Sequence, residues 1–198
     1  MTRSGASQPT FTRTWLVWTA GFLAFPLAGL AGSGAAGRVD NPTAALLGGA
    51  VTGLALGAGQ ALASRRRLDP RRWIPATGVG MGVGLFIGAV VVGYGTSLAD
   101  LALMGALTGL VLGPAQASAL PRQSRQRWLW AAAVPVLWAL GWTVTTLGQI
   151  HVELQFTIFG AYGALTFSAL SGLLLHFMLP YPVNAKQGPE QARIEARA

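Results

Sequence analysis

The sequence predicts an all-α, polytopic integral membrane protein with six transmembrane helices, arranged as three hairpins with parallel internal repeats. Apolar residues make up 52% of the 198 residues and charged residues only 10%, which lies outside the usual range of a soluble domain. The charges leave six uncharged stretches of at least 21 residues each, and about 20 helical residues cross the hydrocarbon core of a bilayer. Basic residues gather in alternate loops, and one glycine-rich line occurs twice.

The predicted elements follow the uncharged stretches in order. A cytoplasmic tail over residues 1–13 precedes a transmembrane domain over residues 14–180, and a polar tail over residues 181–198 has a composition typical of disorder. The six helices are predicted at 14–36, 43–63, 73–95, 98–120, 128–148 and 156–179.

The first predicted helix also resembles a secretory signal. A basic start, an apolar run from Trp15 to Leu30 and the small residues of 31–37 are the parts of a cleavable leader. The apolar run is long enough to span a membrane, so the sequence favours a retained helix, and cleavage remains the alternative. We expect kinks where prolines interrupt the predicted helices, namely at Pro26, Pro114 and Pro135.

Basic residues lie almost entirely on one side of the predicted topology. If the helices alternate, 13 of the 14 lysines and arginines share that side, and only Arg38 lies on the other. This is the positive-inside pattern, which predicts a cell-membrane protein with both termini in the cytoplasm. The net charge of +8 is then explained by the topology, and no nucleic-acid partner is predicted. Membrane lipids, with anionic headgroups at the basic loops, are the expected partners, and an unknown protein partner is a further candidate.

A glycine-rich sequence motif, which we call the repeated line, occurs twice along the chain. GAVTGLALGAGQA at Gly49–Ala61 recurs as GALTGLVLGPAQA at Gly105–Ala117, with nine of thirteen positions identical. An arginine-rich loop follows each line, and then a tryptophan, Trp73 or Trp128. A third copy beginning at Gly163 lacks the glutamine and has no second helix, so the first helix is expected to serve as the partner of the last. The predicted copies cover about 44–97 and 100–152, with a partial copy at 156–180.

The motif GAxTGLxLGxxQ, followed by a basic loop and a tryptophan, resembles a loose group of small bacterial multi-pass membrane proteins built from glycine-rich helix-pair repeats. The resemblance covers about Ala44 to Trp138. It implies a bacterial inner-membrane location and a helical fold. No activity is associated with that group, so no catalytic residue is implied. Pro114 in the second copy departs from the pattern.

Three predicted helices each carry three glycines spaced four residues apart. Residues at this spacing share one face of a helix. Small-residue strips let membrane helices approach closely, so these glycines are predicted to be helix-packing residues, and the alternative is that they line a passage. The strips are Gly49, Gly53 and Gly57; Gly80, Gly84 and Gly88; and Gly105, Gly109 and Gly113.

The two glutamines that end the repeated line are the most informative polar residues. Gln60 and Gln116 each lie eleven residues after the first glycine of their strip, so each side chain points back onto the glycine face. They are predicted to form hydrogen bonds that fix the register of neighbouring helices, or else to face a cytoplasmic cavity. Thr52 and Thr108 are weaker candidates for the same roles, because threonine hydroxyls bond their own preceding turn.

The sequence predicts no catalytic, cofactor or metal site. It has no cysteine, no phosphate loop, no paired carboxylates and no metal-ligand motif. We therefore expect a non-enzymatic membrane protein that acts as a packing, accessory or partner-binding subunit. The alternative is a small permease or channel, whose cavity would be lined by the glycine strips, Gln60 and Gln116. A lipid-modifying enzyme is the least favoured class.

Overall fold

The computed structural model describes residues 11–65, 67–122, 124, 126–149 and 157–178. In that part of the chain every regular element is a helix. The α-helices are α1 (Phe11–Ala20), α2 (Ala24–Ala36), α3 (Pro42–Ala63), α4 (Pro70–Val91), α5 (Leu98–Ala119), α6 (Arg127–Leu147) and α7 (Ala161–Met178).

These helices form six candidate spans. α1, a 3-10 turn at Gly21–Leu23 and α2 together make the first span, Phe11–Ala36, and each later helix is a span of its own. All six are long and apolar enough to cross a membrane. The predicted all-α class with six membrane-spanning helices is therefore confirmed.

Prolines affect the spans unequally. The 3-10 turn lies just before Pro26, whose missing N–H leaves the carbonyl of Phe22 without its helical donor. α5 and α6 instead continue through Pro114 and Pro135 as unbroken helices. The first span is thus the one in which regular α-helix is interrupted.

Local capping sets where the helices begin. The Asn41 side chain accepts a hydrogen bond from Ala44 N at 2.9 Å and is followed by Pro42, a residue suited to the first helical position. Asp69 caps α4 through Arg71 N in the same way. Ser97 and Asp100 cap α5 reciprocally.

The six spans form a closed ring. Each span packs against the next along the chain, and α7 returns to pack against α1. There Trp18 Nε1 donates to Ser171 Oγ at 3.0 Å and Trp15 Nε1 donates to Ala169 O at 2.9 Å. α1 therefore lies beside α7, in the position that the three-hairpin arrangement assigns to it. We call the end of the ring at which α3 and α5 end and α4 and α6 begin the basic face, and the other end the opposite face.

The start of the last helix differs from the prediction. α7 begins at Ala161 instead of residue 156, and residues 157–160 are not helical. A short apolar run fits a buried extended segment as well as a helix, so the sequence pattern could not separate the two. Of the predicted tails, residues 11–13 belong to α1, whereas residues 1–10 and 181–198 lie outside the described residues.

Candidate functional site

The glycine strips of α3 and α4 lie against the backbone of the next helix. A Cβ added at Gly53 would lie 2.5 Å from Thr77 O, and one added at Gly84 would lie 2.7 Å from Thr108 O. Real side chains do not occupy such positions, so the absence of a Cβ is what permits these two contacts. Gly49 and Gly57 also face α4, and Gly80 and Gly88 also face α5.

The strip of α5 lies against the proline of α6. A Cβ added at Gly109 would overlap the backbone of Pro135, and one added at Gly113 would lie 2.7 Å from Ala131 O. Ala131 is four residues before the proline, so its carbonyl has no helical N–H partner. Gly113 allows the backbone of α5 to approach that carbonyl, as in the helix–helix interfaces where weak Cα–H···O contacts recur. Gly105 faces α6 in the same way, through Trp138 and Ala139.

α4 carries a second small-residue face in addition to its predicted strip. Gly78 and Gly82 point towards α3, where an added Cβ would lie 2.7 Å from Leu54 Cδ2 and 3.0 Å from Leu46 O respectively. α4 lies between α3 and α5, so it needs a flat face on both sides. The sequence signal was present, because glycine occupies every second position from 78 to 84.

Both glutamines of the repeated line accept a hydrogen bond from a tryptophan on the following helix. Trp73 Nε1 donates to Gln60 Oε1 at 2.9 Å, and Trp130 Nε1 donates to Gln116 Oε1 at 3.1 Å. Gln60 is 4% exposed and Gln116 is fully buried. The two copies of the line thus make the same side-chain contact between the helices of a hairpin.

The two glutamine–tryptophan pairs are joined into one cluster. Gln116 Nε2 donates to Thr77 Oγ1 at 3.1 Å and lies 3.4 Å from Gln60 Oε1. The indole rings of Trp73 and Trp130 meet edge to face with centroids 5.9 Å apart. We refer to Gln60, Trp73, Thr77, Gln116 and Trp130 as the glutamine–tryptophan cluster; it fills the interior of the ring near the basic face.

The tryptophan that pairs with the second glutamine is not the first one after the basic loop. Trp128 follows that loop as Trp73 follows the earlier one, yet Trp128 is 65% exposed, and Trp130 occupies the buried position. The separation from glutamine to tryptophan is 13 residues in the first copy and 14 in the second. The Trp-x-Trp pattern offered both candidates, and an alignment of the loops without gaps favours neither of them.

Thr52 and Thr108 occupy the same position in the repeated line but make different contacts. Thr108 Oγ1 donates to Met104 O at 2.8 Å in its own preceding turn. The Thr52 hydroxyl instead hydrogen-bonds the hydroxyl of Thr157. Thr52 lies ten residues into α3, about 15 Å from the helix start at 1.5 Å per residue. A segment from outside α7 therefore reaches the middle of the spans.

We call residues 157–160 the re-entrant segment. Three of its consecutive side chains meet glycines of other helices. The Thr157 side chain lies 2.8 Å from a Cβ placed on Gly48, and the Ile158 side chain lies 3.1 Å from one placed on Gly29. Thr157, Ile158 and Phe159 are 2%, 4% and 2% exposed. Irregular backbone at membrane depth is tolerated where protein surrounds it, which is the case here.

Phe159 is the centre of an aromatic cluster that joins three helices. Its ring centroid is 4.7 Å from that of Trp138 on α6, 5.3 Å from Phe25 on α2 and 6.0 Å from Phe167 on α7. The edge of the Phe159 ring also lies 2.7 Å from a Cβ placed on Gly141. The re-entrant segment thus fills the interior of the ring towards the opposite face, and no feature of the sequence had identified it.

The interior offers amide, hydroxyl and indole groups. Within the described ranges, no three histidine, aspartate or glutamate side chains come together in a group that could hold a metal ion. Comparison with protein-family profiles, curated proteins and solved structures finds no match for the chain.

Proposed function

We propose that this chain is a non-enzymatic integral membrane protein that does not conduct solutes and acts as an accessory or partner-binding component of the membrane. One observation carries the proposal: the interior of the helix ring is occupied towards both faces. The glutamine–tryptophan cluster fills it near the basic face, and the re-entrant segment fills it towards the opposite face.

The hydrogen bonding near the basic face supports a dry contact. The side-chain oxygens of Gln60 and Gln116 accept indole N–H groups, and Gln116 Nε2 donates to Thr77. A buried amide without such partners would need water or an ion to compensate its desolvation. The glutamines therefore stabilise the contacts between helices. An average interhelical hydrogen bond of this kind contributes roughly 0.6 kcal/mol to stability.

A permease or channel is the alternative, and it requires two movements. The rings of Trp73 and Trp130 would have to separate, and the re-entrant segment would have to leave its glycine contacts. Withdrawing Ile158 and Phe159 into water would cost about 1.5–3 kcal/mol for each side chain. The filled interior therefore favours the non-conducting function.

Solute flux through reconstituted protein tests the proposal. Purified protein in vesicles of phosphatidylcholine and phosphatidylglycerol should pass potassium, glycerol and urea no faster than protein-free vesicles do. A variant with Thr52→Cys and Thr157→Cys, cross-linked by oxidation, is the matched control because it holds the re-entrant segment in place. Flux above the protein-free rate that disappears on cross-linking would contradict the proposal.

A further inference from the structure

The basic face brings the starts of two helices to either side of one aromatic pair. Trp73 lies in the first turn of α4 and Trp130 in the first turn of α6, and their rings are 5.9 Å apart. Helix N-termini carry free N–H groups and a partial positive charge, which together favour an anion. The N-termini of α4 and α6 both lie at the basic face.

Arginines lie within both helix starts and in the loop that leads to α6. Arg71 and Arg72 are exposed in the first turn of α4, Arg122 is exposed in the loop after α5, and Arg127 is half-buried at the start of α6. Among the described residues, the acid at this face is Asp69, whose carboxylate already accepts Arg71 N at 3.0 Å. The face is therefore strongly positive and retains arginine donors for a ligand.

The start of α6 is capped differently from those of α3, α4 and α5. Its N-cap residue, Gln126, has φ 60° and provides no side-chain hydrogen bond to the first turn. Two residues before this N-cap, the hydroxyl of Ser124, which is 7% exposed, has no hydrogen-bond partner within the described part of the chain. Buried hydroxyls are normally satisfied, so this loop holds an unused donor beside an uncapped helix.

An exposed tryptophan places the surface at the depth of lipid headgroups. Trp128 is 65% exposed directly after Arg127. Tryptophan side chains at the ends of spans sit at the membrane–water interface. The exposed arginines of this face therefore lie at the depth of the phosphates of the adjacent lipid leaflet.

We propose that the first turns of α4 and α6, with Ser124 and Arg122, bind the phosphate group of an anionic phospholipid. The arginines supply charge-assisted hydrogen bonds, and the start of α6 supplies backbone N–H groups. The site goes beyond the proposed function and does not depend on it, because a conducting or a closed ring could bind lipid at this face. The opposite face provides a contrast, since Arg38 is accompanied there by Asp40 and Asp100.

Native mass spectrometry of the full chain, with phosphatidylglycerol and phosphatidylcholine of equal chain length, tests this site. We expect tighter binding of phosphatidylglycerol. Arg71→Gln and Arg127→Gln should each weaken that binding about fivefold, the factor that corresponds to about 1 kcal/mol per arginine near an anionic surface, and Ser124→Ala should weaken it in the same direction. Arg38→Gln, on the opposite face, should leave it unchanged.

Three results would overturn the lipid site. These are equal affinity for the two lipids, an equal effect of Arg38→Gln and Arg127→Gln, or displacement of the lipid by inorganic phosphate at similar concentration. Arg127→Lys keeps the charge and should retain most of the binding. A parallel measurement of thermal unfolding without added lipid identifies any variant that loses binding because it fails to fold.

Discussion

At the scale of single residues, the side chains that hold the interior together are amides and indoles. Gln60 and Gln116 could be predicted from the sequence as residues that hydrogen-bond neighbouring helices, because both end a glycine strip on its own face. Their tryptophan partners could not be predicted. The donor is separated from the acceptor by a loop, and the separation is one residue longer in the second copy, where Trp130 is buried and Trp128 is exposed.

The bond between Gln116 and Trp130 should be measurable by a double-mutant cycle. Gln116→Leu and Trp130→Phe, made singly and together, should show a coupling of about 0.6–1.7 kcal/mol in the free energy of unfolding. The same cycle with Trp128→Phe is the control and should show coupling near zero, because Trp128 is exposed. Equal coupling in both cycles would mean that the hydrogen bond contributes nothing specific.

Glycines within contacts should respond differently from glycines facing outwards. Gly109→Ala forces a methyl group into the backbone of Pro135 and should lower the free energy of unfolding by about 1–3 kcal/mol. Gly34→Ala is the matched control, because an added Cβ there meets no atom within 4 Å. The control should be neutral or stabilising by up to about 1 kcal/mol. Reversible unfolding in mixed micelles measures both, and a greater loss at Gly34 would contradict the packing role.

At the scale of elements, the spans were predictable and the re-entrant segment was not. Charges, caps and prolines mark the ends of α3, α4 and α5 in the sequence. Residues 157–160 carry no such marks: their burial depends on glycines of α2, α3 and α6 that lie far away in the chain. Thr52 shows the same limit, because its partner differs from that of Thr108 although their local sequences match.

Disulfide formation tests whether the re-entrant segment reaches α3. The chain has no cysteine, so Thr52→Cys with Thr157→Cys creates a single pair at two side chains in contact. We expect rapid oxidation to an intramolecular cross-link, detected by altered mobility after protease cleavage between the two positions. Ser118→Cys with Thr157→Cys, at the basic end of α5, should remain reduced. The reverse order of reactivity would show that the segment does not enter the ring.

At the scale of the whole molecule, the ring and the charge asymmetry are separate properties. Closure of α7 onto α1 joins the first and last spans through Trp18 and Ser171, and the start of α1 and the end of α7 both lie at the basic face. The positive-inside pattern predicts that this face is cytoplasmic. A reporter fused after Ala198 should therefore be active as a cytoplasmic reporter, and an alkaline phosphatase fusion at the same position should be inactive. An active phosphatase fusion would reverse the topology.

The closed interior is tested most directly by water access to the two glutamines. Single variants Gln60→Cys and Gln116→Cys should react with a small water-soluble thiol reagent, added from the basic face, far more slowly than Arg72→Cys, because Arg72 is exposed and both glutamines are buried. We predict protection of both positions with full labelling of the control. Labelling of both at the rate of the control would mean that water reaches the glycine strips, and the proposal of a closed, non-conducting ring would be wrong.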